Sequence, residues 1–171
     1  MKRKLAMMIC VFSLGLVGTT TGAQAAPYFS PTGTMGTPRY APAASPLPDG
    51  RVLVAGGLVG LNTYGNSAEI FNPVTGTFSP TGSMGTARYG PGSAPLANGL
   101  VLVVGGRDNS GYLSSAEIFD PATATFTPTG SMGTTRFAPV AAPLPDGRVL
   151  VAGGTGNAGE RSSAEIFNPA T

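Results

Sequence analysis

Met35-Gly-Thr-Pro-Arg39-Tyr40 returns as Met84-Gly-Thr-Ala-Arg88-Tyr89 and again as Met132-Gly-Thr-Thr-Arg136-Phe137. The diglycines Gly56-Gly57, Gly105-Gly106 and Gly153-Gly154 keep pace at intervals of 49 and 48 residues. Glu69, Glu117 and Glu165 each open a Glu-Ile-Phe-(Asn/Asp)-Pro segment, 48 residues apart. A period near 50 residues, built of short apolar runs punctuated by Gly and Pro, belongs to a β-propeller blade rather than to a helical solenoid. The expected fold class is therefore all-β: blades of four antiparallel strands in about three repeats, at residues 36–84, 85–132 and 133–171.

Each repeat divides into four strands. The first runs from Tyr40 to Leu47 and ends at Pro48-Asp49-Gly50, with copies ending at Ala97-Asn98-Gly99 and Pro145-Asp146-Gly147. Asp-Gly and Asn-Gly between apolar runs predict a tight hairpin, because both residues tolerate positive φ. The second strand is Arg51-Val-Leu-Val-Ala55, stopped by the diglycine. The third, Ser67 to Phe71, turns at Asn72-Pro73, where the Asn side chain can bond its own backbone and proline presets φ. The fourth is Thr77-Phe78-Ser79. Pro42 and Pro46, Pro91 and Pro95, and Pro139 and Pro143 each lie four apart. One edge of the first strand thus lacks two N–H donors, which places it at a sheet edge and, in a blade, nearest the central channel.

The diglycine after a Val/Leu strand, the Glu-Ile-Phe-Asp-Pro segment and the Met-x-x-x-Arg before each first strand together resemble the kelch family, as in the propeller of galactose oxidase and in bacterial exported kelch proteins. The likeness covers about Tyr28 to Thr171 and implies kelch-type four-stranded blades. One departure is that the aromatic commonly found as Trp in the fourth strand is Phe29, Phe78 or Phe126 here. The run 28–30 reads as a fourth strand without its blade and can complete the last repeat, which stops after its third strand. Propellers have about 4–8 blades, so three repeats predict an incomplete or oligomerising propeller. The abrupt ending at Thr171 favours a fragment of a longer product; two chains joined in a six-bladed ring, or an open array, are the other arrangements.

The N-terminus reads as an address. Lys2, Arg3 and Lys4 precede an apolar stretch from Leu5 to about Gly18, and Ala23-Gln24-Ala25 follows as a small-x-small cleavage site. This layout is that of a secretory signal at 1–25, too short to span a membrane comfortably, leaving a mature chain at 26–171 that is secreted or periplasmic with no membrane span. Removing the signal leaves seven basic against eight acidic residues, a net charge of −1, and every remaining cation is an arginine. A nucleic-acid partner, which needs a dense cationic surface, is not expected. Cys10 also goes, so the mature chain holds together by packing, without a disulfide.

Catalytic chemistry finds little to use. Histidine is absent and no cysteine follows residue 25, which excludes Ser-His-Asp and Cys-His sites and the common nitrogen and sulfur ligands for zinc or copper. The copper-radical chemistry of galactose oxidase needs histidines and a Cys–Tyr cross-link, so the resemblance implies fold and not activity. The glycine pairs lack the Gly-Lys-Ser/Thr of a phosphate loop. Asp108-Asn109-Ser110-Gly111 resembles a calcium loop only faintly, lacks the later bidentate carboxylate and reads as a turn. No catalytic residue, metal or cofactor is expected.

Binding residues are sought where the repeats differ. The segment between second and third strands changes from Leu58–Asn66 to Arg107–Leu113 to Thr155–Arg161, and it shares one face of the blade with the Met-and-Arg connection. Tyr64, Arg107, Asp108, Asn109, Tyr112, Asn157 and Arg161 are the candidates there. Arg39, Arg88 and Arg136 either ring the channel mouth as an anion site or pair with Glu69, Glu117 and Glu165 to brace each blade; recurrence in every repeat favours bracing. The expected function is an exported, non-enzymatic binding or scaffold module recognising a protein or glycan of the cell envelope or exterior, with self-association as a route to a complete propeller. The alternative is a fragment of a carbohydrate-active or galactose-oxidase-like enzyme whose catalytic residues lie outside this chain.

Overall fold

The computed structural model describes residues 28–171, so the expected signal at 1–25 lies outside the described residues. The chain divides into two units, Met1–Pro31 and Thr32–Thr171, and every strand described lies in the second. The expected strand at 28–30 is not formed: those residues carry no strand.

The first repeat contains β1 (Ala43–Pro46), β2 (Val52–Ala55), the short pair β3 (Leu58–Gly60) and β4 (Thr63–Tyr64), then β5 (Ala68–Asn72) and β6 (Thr77–Pro80). The second contains β7 (Gly92–Pro95), β8 (Val101–Val104), the pair β9 (Arg107–Asp108) and β10 (Gly111–Tyr112), then β11 (Ala116–Asp120) and β12 (Thr125–Thr129). The third contains β13 (Val140–Pro143), β14 (Val149–Ala152), the pair β15 (Thr155–Gly156) and β16 (Gly159–Glu160), then β17 (Ala164–Phe167). The main sheets are ordered β1-β2-β5-β6, β7-β8-β11-β12 and β13-β14-β17, all antiparallel. They are kelch-type blades, the third with three strands among the described residues.

The proline argument holds. β1, β7 and β13 each pair on one side only, and they neighbour one another across successive blades. Ser93 Oγ donates to the Ala44 carbonyl at 3.0 Å, linking two of these inner strands. The first strand begins later than Tyr40, because Ala41 takes φ +49° and breaks the extended run before it. Gly90 and Ala138 occupy the same left-handed position at φ +60° and +52°.

The hairpin expected at Asp49-Gly50 forms by a different geometry. Leu47 N donates to Arg51 O at 2.8 Å and Gly50 N to Leu47 O at 3.0 Å, enclosing a three-residue loop. Only Gly50, at φ +84°, is left-handed there. Asp49 instead accepts the Arg51 N–H at 3.1 Å. The turns at Asn72, Asp120 and Asn168 match expectation: each side chain accepts the N–H two residues on, at 2.8–3.0 Å.

Packing between blades makes the core. Leu53, Ala55, Ala68 and Ile70 of the first blade meet Met84, Val101, Val103 and Phe119 of the second. Leu102, Val104 and Ala116 on the second blade's other face meet Val149 and Val151 of the third, with Met132 and Phe167 at the margin. Met84 and Phe119 are thus inter-blade core, with Phe126, Met132 and Phe167 packed at its margin. Each large side chain buried this way contributes about 1.5–3 kcal/mol.

Candidate functional site

The repeated arginines turn inward. Arg88 Nη1 donates to the carbonyls of Gly105 (2.9 Å) and Ser115 (2.8 Å), and Nη2 to Ser115 Oγ (3.0 Å) and Glu117 Oε1 (3.1 Å). Arg39 and Arg136 repeat the set with Glu69 and Glu165 at 3.1 and 3.0 Å. All three arginine side chains are fully buried. The carboxylate grips the connecting turn as well: Glu117 accepts Gly85 N at 2.7 Å and Thr86 N at 3.1 Å. Arg39, Arg88 and Arg136 therefore brace blades, and the channel-mouth anion ring is corrected. Their Nη groups are taken by carbonyls, a serine hydroxyl and a carboxylate of the same blade, and the side chains present no exposed surface to a ligand.

This bracing makes stability depend on pH. Burial acts to raise the Glu69 carboxyl, but the Gly36 N–H, the Arg39 guanidinium and the Thr37 N–H outweigh it and hold the group below its ordinary 4.5. Glu165 is held down likewise, burial being overcome by Gly133 N–H, Thr134 and Arg136. A carboxyl depressed in the folded state stabilises above its unfolded value and loses that contribution as pH falls through the folded one. The urea midpoint is therefore expected to stay level from neutrality to about pH 4.5 and to fall progressively in more acid solution. A midpoint unchanged well below that value would show that the fold does not hold these carboxyls below their ordinary value and draws no pH-dependent stability from them.

Outside the braces, the same connections present aromatic side chains. Tyr40, Tyr89 and Phe137 each follow a bracing arginine and pair their backbones with Leu58, Arg107 and Thr155. They form a continuous row: Tyr40 to Tyr89 is 5.7 Å between ring centres, and Tyr89 to Phe137 is 4.8 Å. The short hairpins add a second row, with Tyr64 6.2 Å from Tyr89 and Tyr112 6.2 Å from Phe137. Arg107 lies 5.4 Å over the Tyr112 ring, a cation–π arrangement. Burial raises the Tyr89 phenol above the ordinary 10.0, and the adjoining Tyr40 adds to the shift, so its hydroxyl is a neutral donor and acceptor at physiological pH.

The left-handed backbone at Ala41 and Ala138 sits directly after this row. For a residue with a Cβ such a conformation costs about 1 kcal/mol or more, and it persists where the surroundings impose it. Here Gly90 N donates to Ala41 O at 3.1 Å and Ala138 N to Gly90 O at 2.8 Å, so the kinks of adjacent blades hold one another and aim the rings.

The other expected site residues divide. Tyr64, Tyr112 and Arg107 join the aromatic arc. Asp108 accepts the Ser110 N–H at 2.7 Å in a local turn, and Asn109 and Asn157 are exposed at loop tips. Arg161 lies against Gly156 with its Nε buried and without a hydrogen-bond partner. At the first blade, Tyr40 is 66% exposed, Leu61 is 99% exposed, and a hollow of 370 Å³ is lined by Pro38, Tyr40, Leu58 and Val59. Tyr40, Tyr89 and Phe137 are not among the candidates that sequence variation points to, because they recur at one position in every repeat as scaffold residues do. The available signal was the aromatic at one fixed position after every Met-x-x-x-Arg.

A search of curated proteins found no match. The family model for the kelch motif matches residues 39–85 and 88–133, more than half of the chain. The repeat seen as sequence, as brace and as blade is therefore one thing, and the chain belongs to the kelch-repeat family.

Proposed function

We propose that the protein is an exported, non-enzymatic binding module that takes a protein or a glycan on its aromatic face. Kelch repeats generally mediate protein binding. The observation that carries the reading is the five-ring arc formed by Tyr40, Tyr64, Tyr89, Tyr112 and Phe137, continuous over three blades. Tyrosine offers a large flat surface with a polar tip and few rotors to immobilise, which suits it to partner recognition and to stacking on the apolar faces of sugar rings. The exposed Leu61 and Tyr40 extend that surface beyond what folding requires.

A glycan array and cross-linking to envelope proteins would compare the wild type with Tyr40→Ala/Tyr112→Ala. Ligands of this face are expected to lose about tenfold or more in affinity, as truncation of an aromatic anchor costs roughly 1–2 kcal/mol or more. Asp49→Ala, in the β1–β2 turn away from the arc, should bind as the wild type does. Ligands held equally by all three proteins would rule the arc out.

A further inference from the structure

The two joints between blades are built from one set of groups. At the first, Gly57 N donates to Arg88 O (2.8 Å), Arg88 N to Gly65 O (2.9 Å) and Met84 N to Asn66 O (2.9 Å). At the second, Gly106 N donates to Arg136 O, Arg136 N to Leu113 O and Met132 N to Ser114 O at the same distances. The third blade offers the same half of a joint in Gly154 N, Arg161 O and Ser162 O, none of which has a partner among the described residues. The segment leading into the first blade offers the complementary half: Met35 N, Arg39 N and Arg39 O, equally without partners.

The side chains repeat this complementarity. Leu53, Ala55, Ala68 and Ile70, which face the second blade, are at most 8% exposed. Their counterparts Leu150 and Ala152 are half-buried, Ala164 is exposed and Ile166 is 46% exposed. On the leading face, Val52 and Phe71 are half-buried where Val101 and Phe119 are fully buried. Space is reserved too. A Cβ on Gly56 or Gly105 would meet the following arginine's carbonyl, whereas one on Gly153 has nothing nearer than 3.7 Å.

We propose that the third blade's outward face binds the leading face of the first blade of a second copy, reproducing the internal joint. The occupant is a second copy because the chain carries both halves of the interface, matched donor for acceptor and apolar face for apolar face. Such a head-to-tail contact is heterologous, closing into a ring or extending as a filament according to the rotation per copy. This proposal is independent of the aromatic face and does not use it.

The test is the mass of the purified protein by sedimentation and light scattering across a micromolar dilution series. The wild type is expected at two or more chains per particle, dissociating on dilution; a particle of one chain throughout would overturn the proposal. Ile166→Asp spoils the third-blade face and Met35→Asp the leading face, so each alone should be a single chain with an unchanged circular dichroism spectrum. Mixing the two variants leaves one intact joint per pair, and a two-chain particle should reappear. A mixture that stays dissociated, or single variants that remain associated, would overturn the head-to-tail geometry. Should either aspartate variant misfold, the milder Ile166→Ser and Met35→Ser are mixed in the same way.

Discussion

Glu117→Ala is expected to lose about 3–5 kcal/mol of stability, the cost of removing one partner from a buried ion pair. Arg88 remains fully buried after the change, with its charge uncompensated. The Gly85 and Thr86 N–H groups, which now donate to Glu117, lose their acceptor as well. Glu165→Ala should cost less, about 1–2 kcal/mol, because its carboxylate is 30% exposed against 3% for Glu117 and water can replace it. Urea unfolding of the two variants measures both losses. Equal losses would mean that the brace acts through the turn it holds rather than through the buried charge.

The second large effect concerns the diglycines. Gly105 has φ +67°, and a Cβ there would lie 2.4 Å from Arg136 O. That carbonyl also accepts the Gly106 N–H, so it cannot retreat without breaking a joint bond. Gly105→Ala therefore combines left-handed strain with a backbone collision and should cost about 3 kcal/mol or more. Gly153 has the same φ but open space around it, so Gly153→Ala should cost only the conformational part, about 1 kcal/mol. The comparison is made at dilutions that keep copies apart. Similar losses at the two positions would show that φ, and not the approach of the next blade, explains the glycine.

Much of this is legible in the sequence. The prolines placed β1, β7 and β13 at an edge because a missing N–H has the same consequence in any sheet. The Arg–Glu brace was one of two readings, and recurrence in every repeat chose correctly between them. Other features depended on geometry that spacing does not carry. Nothing in the letters Asp49-Gly50 says that Asp49 keeps an ordinary φ while its carboxylate holds the Arg51 N–H. Nor does the variable segment announce itself as a two-stranded hairpin, since β9 and β10 are two residues each. The aromatic arc was hidden for the opposite reason: its inner row is as regular as the scaffold, and only ring-to-ring distances show that it forms a surface. The expected strand at 28–30 rested on likeness to β6 and β12 alone.

The sameness of the two joints bears on how such a protein can evolve. The backbone groups that attach one blade to the next are supplied within the repeat itself, and what is peculiar to one junction is confined to side-chain bonds such as Ser93 Oγ to the Ala44 carbonyl. A duplication or deletion of one whole 48-residue unit would hand each new neighbour the partners it already knows how to meet. Length can thus drift by gene-level copying while the hairpins diverge freely, so the surface can acquire new specificities without renegotiating the fold.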